Sequence, residues 1–255
     1  MNFVLRGRLA QVTSSEATVP DLLARLLRGE AGRPLVTFYD DATGERVELS
    51  VTTWANWVAK AAGLLVDELG LEKGDAVRVD LPPHWLSTVF CGAAWAAGLV
   101  VTDADDPEAV VCGPDTLERW APDAVRREVL ACSLRPLGVR FAEGVPDGVH
   151  DVGVEVWGMP DAFVALDPPA ADDVATRFGG RETTQQALLE AAAAGTLVRD
   201  GDRLLSGADP ASPPGTASLV EPLLRSGSLV LVTRAEPDRL EEIASSERVT
   251  ARFPA

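Results

Sequence analysis

Residues 71–105, LEKGDAVRVDLPPHWLSTVFCGAAWAAGLVVTDAD, carry the reading on which the fold turns. LEKGD is a tight polar turn, and AVRVDLP after it reads as an apolar strand. HWLSTVFCGAAWAAG has helical length and stops at Gly98, and LVVTDAD is a second strand. Strand, helix and strand in this order form a β–α–β unit, which implies a parallel sheet covered by helices. The chain is therefore expected to be α/β, with a mainly parallel sheet flanked by helices.

Working outward, the same grammar continues. Pro20 opens a short amphipathic helix with Leu22, Leu23, Leu26 and Leu27 on one stripe and Gly29 as its stop. RPLVTFYD reads as a strand, DDATGE as a turn and RVEL as the return strand of a hairpin. Ser50 is a good N-cap for VTTWANWVAKAAGLLVDELG, whose Trp54, Trp57, Val58, Ala61, Leu65 and Leu69 recur at helical spacing and so belong to the core. Downstream, AVVCG, PDTLERWAPDAVRREV and VLACSL make a further strand–helix–strand repeat.

Residues 138–169 are rich in Gly, Pro and Asp and read as loops with at most one strand. Helices are expected near AADDVATRF and in ETTQQALLEAAAAG, and two short strands around the Asp-Gly of TLVRDGDRLLS. GADPASPPG is a loop, followed by helix SLVEPLLRSG, strand SLVLVT, helix PDRLEEIASSER and strand VTARF. The expected organisation is one domain over 1–255, in two lobes of about 1–135 and 170–255 joined by the irregular 138–169.

The 255 residues are 46% apolar and 24% charged, an ordinary globular composition. The net charge of −16 excludes nucleic acid as a partner and disfavours anionic lipid, because both repel an acidic surface. Cys91, Cys112 and Cys132 lie in apolar runs with no CxxC spacing, so they read as buried small hydrophobes suited to a reducing cytoplasm. MNFVLRGRLAQVTSS lacks the apolar core and cleavage site of a secretory signal, and no apolar stretch is long enough to span a bilayer. The chain is expected to be soluble and cytoplasmic.

Few residues carry chemistry. His84 follows Pro-Pro at a helix start, where a structural or solvent-facing role is ordinary, and neither His84 nor His150 sits in a nucleophile motif. Neither GxSxG nor GxGxxG occurs. Asp103, Asp105, Asp106 and Glu108 follow a parallel strand, where ligands commonly bind, and read as a solvated acidic loop rather than a metal site.

Three blocks in order, VELSVTTWANWVAKAAGLL, LEKGDAVRVDLPP and CGAAWAAGLVVTDAD, resemble the N-terminal domain of adenylate-forming enzymes, the acyl-CoA synthetase superfamily. The late stretch from GDRLLSGADPASPPG to SSERVT is similar to the part of that domain after its phosphate loop, while Cys112 to Phe178 has diverged. High Ala, Val, Arg and Asp usage points to an actinobacterial type of truncated homologue. The resemblance implies ATP or AMP with magnesium, and a carboxylic acid to be activated, in any active member.

The working parts do not come with it. ATP-dependent activation needs backbone N–H groups, hydroxyls and a cation around the phosphates. Where the family carries a Ser/Thr- and Gly-rich loop, this chain has ATRFGGRETTQQALL. Gly179, Gly180, Arg181, Thr183 and Thr184 are the residues there with anion-binding chemistry, and the alternative is a plain helix-start turn with Thr183 near the cap. The family's later motifs, a Thr-Glu pair, a ribose-binding Asp and a C-terminal-domain Lys, are expected beyond Ala255. Three readings follow. The first is a non-catalytic ligand-binding or protein-interaction relative, with no catalytic residue, metal or cofactor assigned. The second is a ligase component completed by a partner chain, and the third a structural homodimer.

Overall fold

The computed structural model describes residues 16–253. The opening block forms as read. β3 (Ala76–Asp80) leads into α3 (Trp85–Ala97), which ends at Gly98 in the left-handed region (φ +77°) and returns as β4 (Val100–Thr102), parallel to β3. Gly98 supplies the positive φ that a helix stop of this kind requires.

Twelve strands form two sheets among the described residues. One runs β12-β10-β11-β1-β2, built from β1 (Pro34–Asp40), β2 (Glu45–Ser50), β10 (Arg203–Ser206), β11 (Ser228–Thr233) and β12 (Ala251–Arg252). The other runs β7-β6-β5-β3-β4-β8-β9, adding β5 (Ala109–Cys112), β6 (Glu128–Ala131), β7 (His150–Asp151), β8 (Val174–Phe178) and β9 (Arg181–Thr184). Every neighbouring pair is parallel except β1–β2 and β8–β9. The fold class is thus the mainly parallel α/β architecture expected. Neither sheet is confined to 1–135 or to 170–255, since β1 pairs with β11 and β4 with β8.

The helices are α1 (Val19–Arg28), α2 (Val51–Gly63), α3, α4 (Pro114–Trp120), α5 (Val152–Glu155), α6 (Gln185–Ala194), α7 (Thr216–Leu224) and α8 (Pro237–Ser246). Ser50 caps α2 by accepting from Thr53 N, as its position predicts. α3 touches β1 of one sheet and β3 and β4 of the other, and twelve of its thirteen residues are buried. A helix apolar on all sides is stable only in such a place. α2 crosses it closely at Gly92, where a Cβ would lie 2.8 Å from the Trp54 ring and Val58, while Trp54 Nε1 donates to Thr88 Oγ1 at 3.0 Å.

Two expectations fail locally. AADDVATRF, read as a helix, holds β8: its Val174, Thr176 and Phe178 are β-branched or aromatic and favour a strand, and the free edge of β4 offers Thr176 and Arg177 a parallel ladder. TLVRDGDRLLS yields one strand, β10, because Arg199–Asp202 fold into a turn closed by Asp202 N on Arg199 O and Arg199 N on Asp202 Oδ2. The middle segment contains the two-residue β7 and the single helical turn α5. No helix among the described residues is long and apolar enough to cross a membrane. The reading of MNFVLRGRLAQVTSS falls outside the described residues.

Candidate functional site

In both sheets the parallel strands β1, β3, β5, β6 and β11 end toward one another, the edge at which open α/β sheets commonly receive ligands. A cavity of about 280 Å³ opens there. Asp40 is the last residue of β1, and Arg234 directly follows β11. Pro82, Pro83 and His84 bridge β3 to α3, Asp115 lies in the first turn of α4, and Ser133 and Leu134 follow β6.

The charges in this cavity are largely spoken for. Arg234 donates to both oxygens of Asp40, with Nε to Oδ1 at 2.8 Å, and Ala42 N adds a third bond at 3.1 Å. Burial pushes the Asp40 carboxyl up, but the Arg234 and Thr43 hydrogen bonds outweigh it and hold the group below the usual carboxylate range. The same bonds raise the Arg234 guanidinium. Asp115 is exposed and has no hydrogen bond or ion pair among the described residues. Among the described residues the one cation on the cavity wall is therefore engaged, and a carboxylate is left over.

His84 is 3% exposed. Its Nδ1 accepts from Leu86 N at 3.2 Å, capping α3, so the ring proton sits on Nε2. Burial lowers its pKa to about 3 against the pull of Asp40, and the ring is neutral at physiological pH. His84 Nε2 is buried without a partner, while Trp85 Nε1 faces the Glu45 carboxyl and partly offsets the burial that raises it. Burial, reinforced by Asp40, raises the Glu45 carboxyl. Leu134 and Arg234 hold φ of 52° and 58°, a left-handed backbone that costs a non-glycine residue about 1–2 kcal/mol and tends to persist at functional sites.

A serine, a histidine and two aspartates on one wall invite comparison with a nucleophilic triad, and the geometry refuses it. Ser133 Oγ donates to Val139 O, and His84 presents a protonated Nε2 that cannot accept a hydroxyl proton. The cavity can hold a small uncharged or cationic polar group between its proline and Phe38 walls. It is poorly suited to polyphosphate, having among the described residues no free cation and carrying the unpaired Asp115 carboxylate on its wall.

The five residues singled out for anion chemistry do not converge. Gly179 and Gly180 (φ +55° and +76°) form a two-residue turn between β8 and β9, with Phe178 opposite Arg181. The Gly179 N–H already holds an anion, donating to both oxygens of Asp103 at 2.9 and 3.0 Å. Arg181 is exposed, Thr183 pairs with Thr176 in the hairpin, and Thr184 rather than Thr183 caps α6 by accepting from Ala187 N at 3.2 Å.

The acidic stretch after β4 is an exposed loop, as read, whose carboxylates are also paired. Asp105 meets Arg78 and Arg119 at 3.0 and 3.2 Å, Asp106 meets Arg127 at 2.5 Å, and Glu108 accepts from Ala76 N at 2.7 Å. Among the described residues no group of acidic, His or Cys side chains has metal-binding geometry. The three cysteines are free and buried as expected, and burial keeps them as thiols, with Cys112 pushed up to about 12. Sequence reasoning passed over Asp40, Asp115, Ser133 and Arg234. Their shared signal is position: each closes or follows a strand, or opens the helix after one.

Comparison with known proteins bears on both fold and family. No protein-family model matches the chain. The TIGR03089 family protein of Mycobacterium tuberculosis (strain ATCC 25618 / H37Rv) is 35% identical over 238 residues, covering 90% of this chain and 95% of that one. Among solved structures, an acyl-CoA synthetase of Brucella canis superposes with a TM-score of 0.77 at 18% identity, over 92% of this chain and 46% of that one. The N-terminal domain of FACL13 from Mycobacterium tuberculosis gives 0.69 at 15% identity, over 91% and 61%. A fatty acyl CoA synthetase of Mycobacterium tuberculosis also gives 0.69 at 15% identity, over 91% and 48%. The chain thus has the fold of an acyl-CoA synthetase N-terminal domain and spans about half the length of the full-length structures it matches.

Proposed function

This chain belongs to the TIGR03089 protein family, and from that premise we propose that it is a non-catalytic relative of the adenylate-forming enzymes which binds a small ligand at its strand ends. The observation that carries the reading is the β8–β9 turn. Where the resemblance leads one to expect a phosphate loop, Gly179 and Gly180 make a two-residue hairpin whose first amide is occupied by the Asp103 carboxylate. A triphosphate there meets a fixed negative charge instead of free N–H groups. The Asp40–Arg234 cavity supports the same reading, because its cation is already paired. The buried thiols suit a reducing compartment, so the cytoplasm is its proposed location.

The test is ATP–pyrophosphate exchange by the purified chain with aliphatic and aromatic acids, together with thermal melts in magnesium-ATP. No exchange and no shift are expected. Ligand at ~100 times its dissociation constant adds about 2.7 kcal/mol, a rise of roughly 5–10 °C for a chain of this size, so a surviving nucleotide site could not be missed. Exchange above background, or such a rise, refutes the proposal. A fragment titration followed by the His84 imidazole resonances tests the cavity. Uncharged and ammonium-bearing fragments should shift them, whereas phosphate should not.

A further inference from the structure

A second cavity, of about 340 Å³, shares no wall residue with the one at the strand ends. Four stretches of chain enclose it. α1 contributes Leu23 and Leu27, α2 Ala59, the end of α3 Ala96, and the strap 163–169 closes it with Phe163 and Pro168. Every residue on its wall is Ala, Val, Leu, Phe or Pro. α1 has already committed Leu22 and Leu26 to the core, so the leucines one position on are left to line this space. The strap is loosely held. Among the described residues no main-chain N–H or C=O of 160–169 makes a hydrogen bond. Its side-chain tethers are Asp161 to Lys60 at 2.9 Å and Asp167 to Lys73 at 2.8 Å. Both carboxylates are more than half exposed, and ion pairs of that kind hold little.

Beyond the reading of the strand-end site, we propose that this cavity binds one small uncharged apolar molecule, an aliphatic or aromatic skeleton carrying at most one hydroxyl or carbonyl group. Three observations select that class. The first is size: small-molecule sites run from about 300 to 1,000 Å³, and this one, enclosed by three helices and the strap, suits a single compact ligand rather than a partner helix or sheet. The second is the wall. None of its side chains can pair with a charge, and burying an unpaired charge is costly, so hydrocarbon surface is what the cavity favours. The third is the charge around it. Lys60 and Lys73 are the chain's only two lysines, and the strap's own Asp161 and Asp167 already hold them, with Asp173 a further partner of Lys73 at 3.4 Å. A carboxylate ligand would meet acids at the strap instead of a free lysine. A lone hydroxyl or carbonyl, by contrast, can use the strap's unbonded N–H and C=O groups. With tethers this weak, the strap can lift to admit the ligand.

The experiment is a fluorescence titration of the full chain with N-phenyl-1-naphthylamine, an uncharged apolar dye, followed by competition with 1-octanol and with octanoate. Two variants accompany wild type. Ala24→Phe fills the cavity from an exposed position on α1, and Leu27→Glu, at a site 40% exposed, puts a carboxylate on its wall. A urea midpoint matching wild type verifies that each folds, and if Ala24→Phe fails that check, Leu27→Glu decides. Wild type is expected to bind one dye per chain, with saturation, and both variants at least tenfold more weakly. 1-Octanol should displace the dye at a concentration at least tenfold below that needed of octanoate. Wild type without saturable binding overturns the proposal, as does unchanged affinity in the folded variants, or octanoate competing as well as the alcohol. None of these outcomes depends on nucleotide or on the strand-end cavity, so this inference and the proposed function fail separately.

Discussion

Replacing His84 by Asn should change how the protein's stability depends on pH far more than it changes stability at neutral pH. Asn is a good N-cap and can keep the bond to Leu86 N, so α3 retains its start. What goes is a titrating group. In the unfolded chain a histidine titrates near its ordinary value of about 6.5, whereas burial holds His84 at about 3 in the native state. The native pKa is therefore the depressed one. His84 costs nothing above the unfolded value, and stability is lost as pH falls from there toward 3 because only the unfolded chain takes the proton. Between pH 7 and pH 5 the loss amounts to about 2 kcal/mol, and any native value below about 4 leaves that figure unchanged. Glu45 and Asp209, raised by burial, act in the opposite sense, so wild type alone does not isolate the effect. The difference between wild type and His84→Asn does. Urea unfolding of both proteins at the two pH values should show that difference shift by about 2 kcal/mol in favour of the variant at the lower pH. A parallel response of the two would mean that His84 takes a proton in the folded state and that the buried neutral ring is wrong.

Three further outcomes follow from packing. Gly92→Ala puts a methyl group into Trp54 and Val58 at the α2–α3 crossing; overpacking of about 1–3 kcal/mol, offset by roughly 1 kcal/mol of helix propensity, should still lower the urea midpoint. Gln185 is fully buried and accepts from Val19 N at 3.0 Å, so Gln185→Leu leaves that amide unsatisfied and should cost about 1–3 kcal/mol, with faster hydrogen exchange along α1. At the β8–β9 turn, Gly179→Asn should be nearly neutral in a thermal melt. Gly179→Val, forced to a φ of +55°, should cost about 1–2 kcal/mol.

Elements with strong punctuation were readable from residue order. α3 is bracketed by Pro-Pro-His and Gly98, and α2 starts at Ser50, because caps and stops act within one helical turn. β8 departs from the helix expected there because nothing local separates a helix from a strand in AADDVATRF; the partner that decides it, β4, lies about seventy residues upstream. The Gly-Gly pair is visible in the sequence, but its meaning depends on the hairpin around it and on Asp103, which is 76 residues away. The cavity was less legible still. Asp40 and Arg234 are 194 residues apart, and what joins them is the adjacency of β1 and β11.

Local order thus settled that this chain alternates strands and helices, that its sheets are mainly parallel, and that it resembles the adenylate-forming enzymes without their phosphate loop. These properties depend on side-chain period, turn residues and short motifs, all of which act over a few positions. Strand order, the burial of His84 and the pairing of Asp40 with Arg234 arose only on folding. They depend on which distant strands lie side by side, and the hydrophobic burial that drives those strands together is non-directional and leaves no pairwise mark in the residue order.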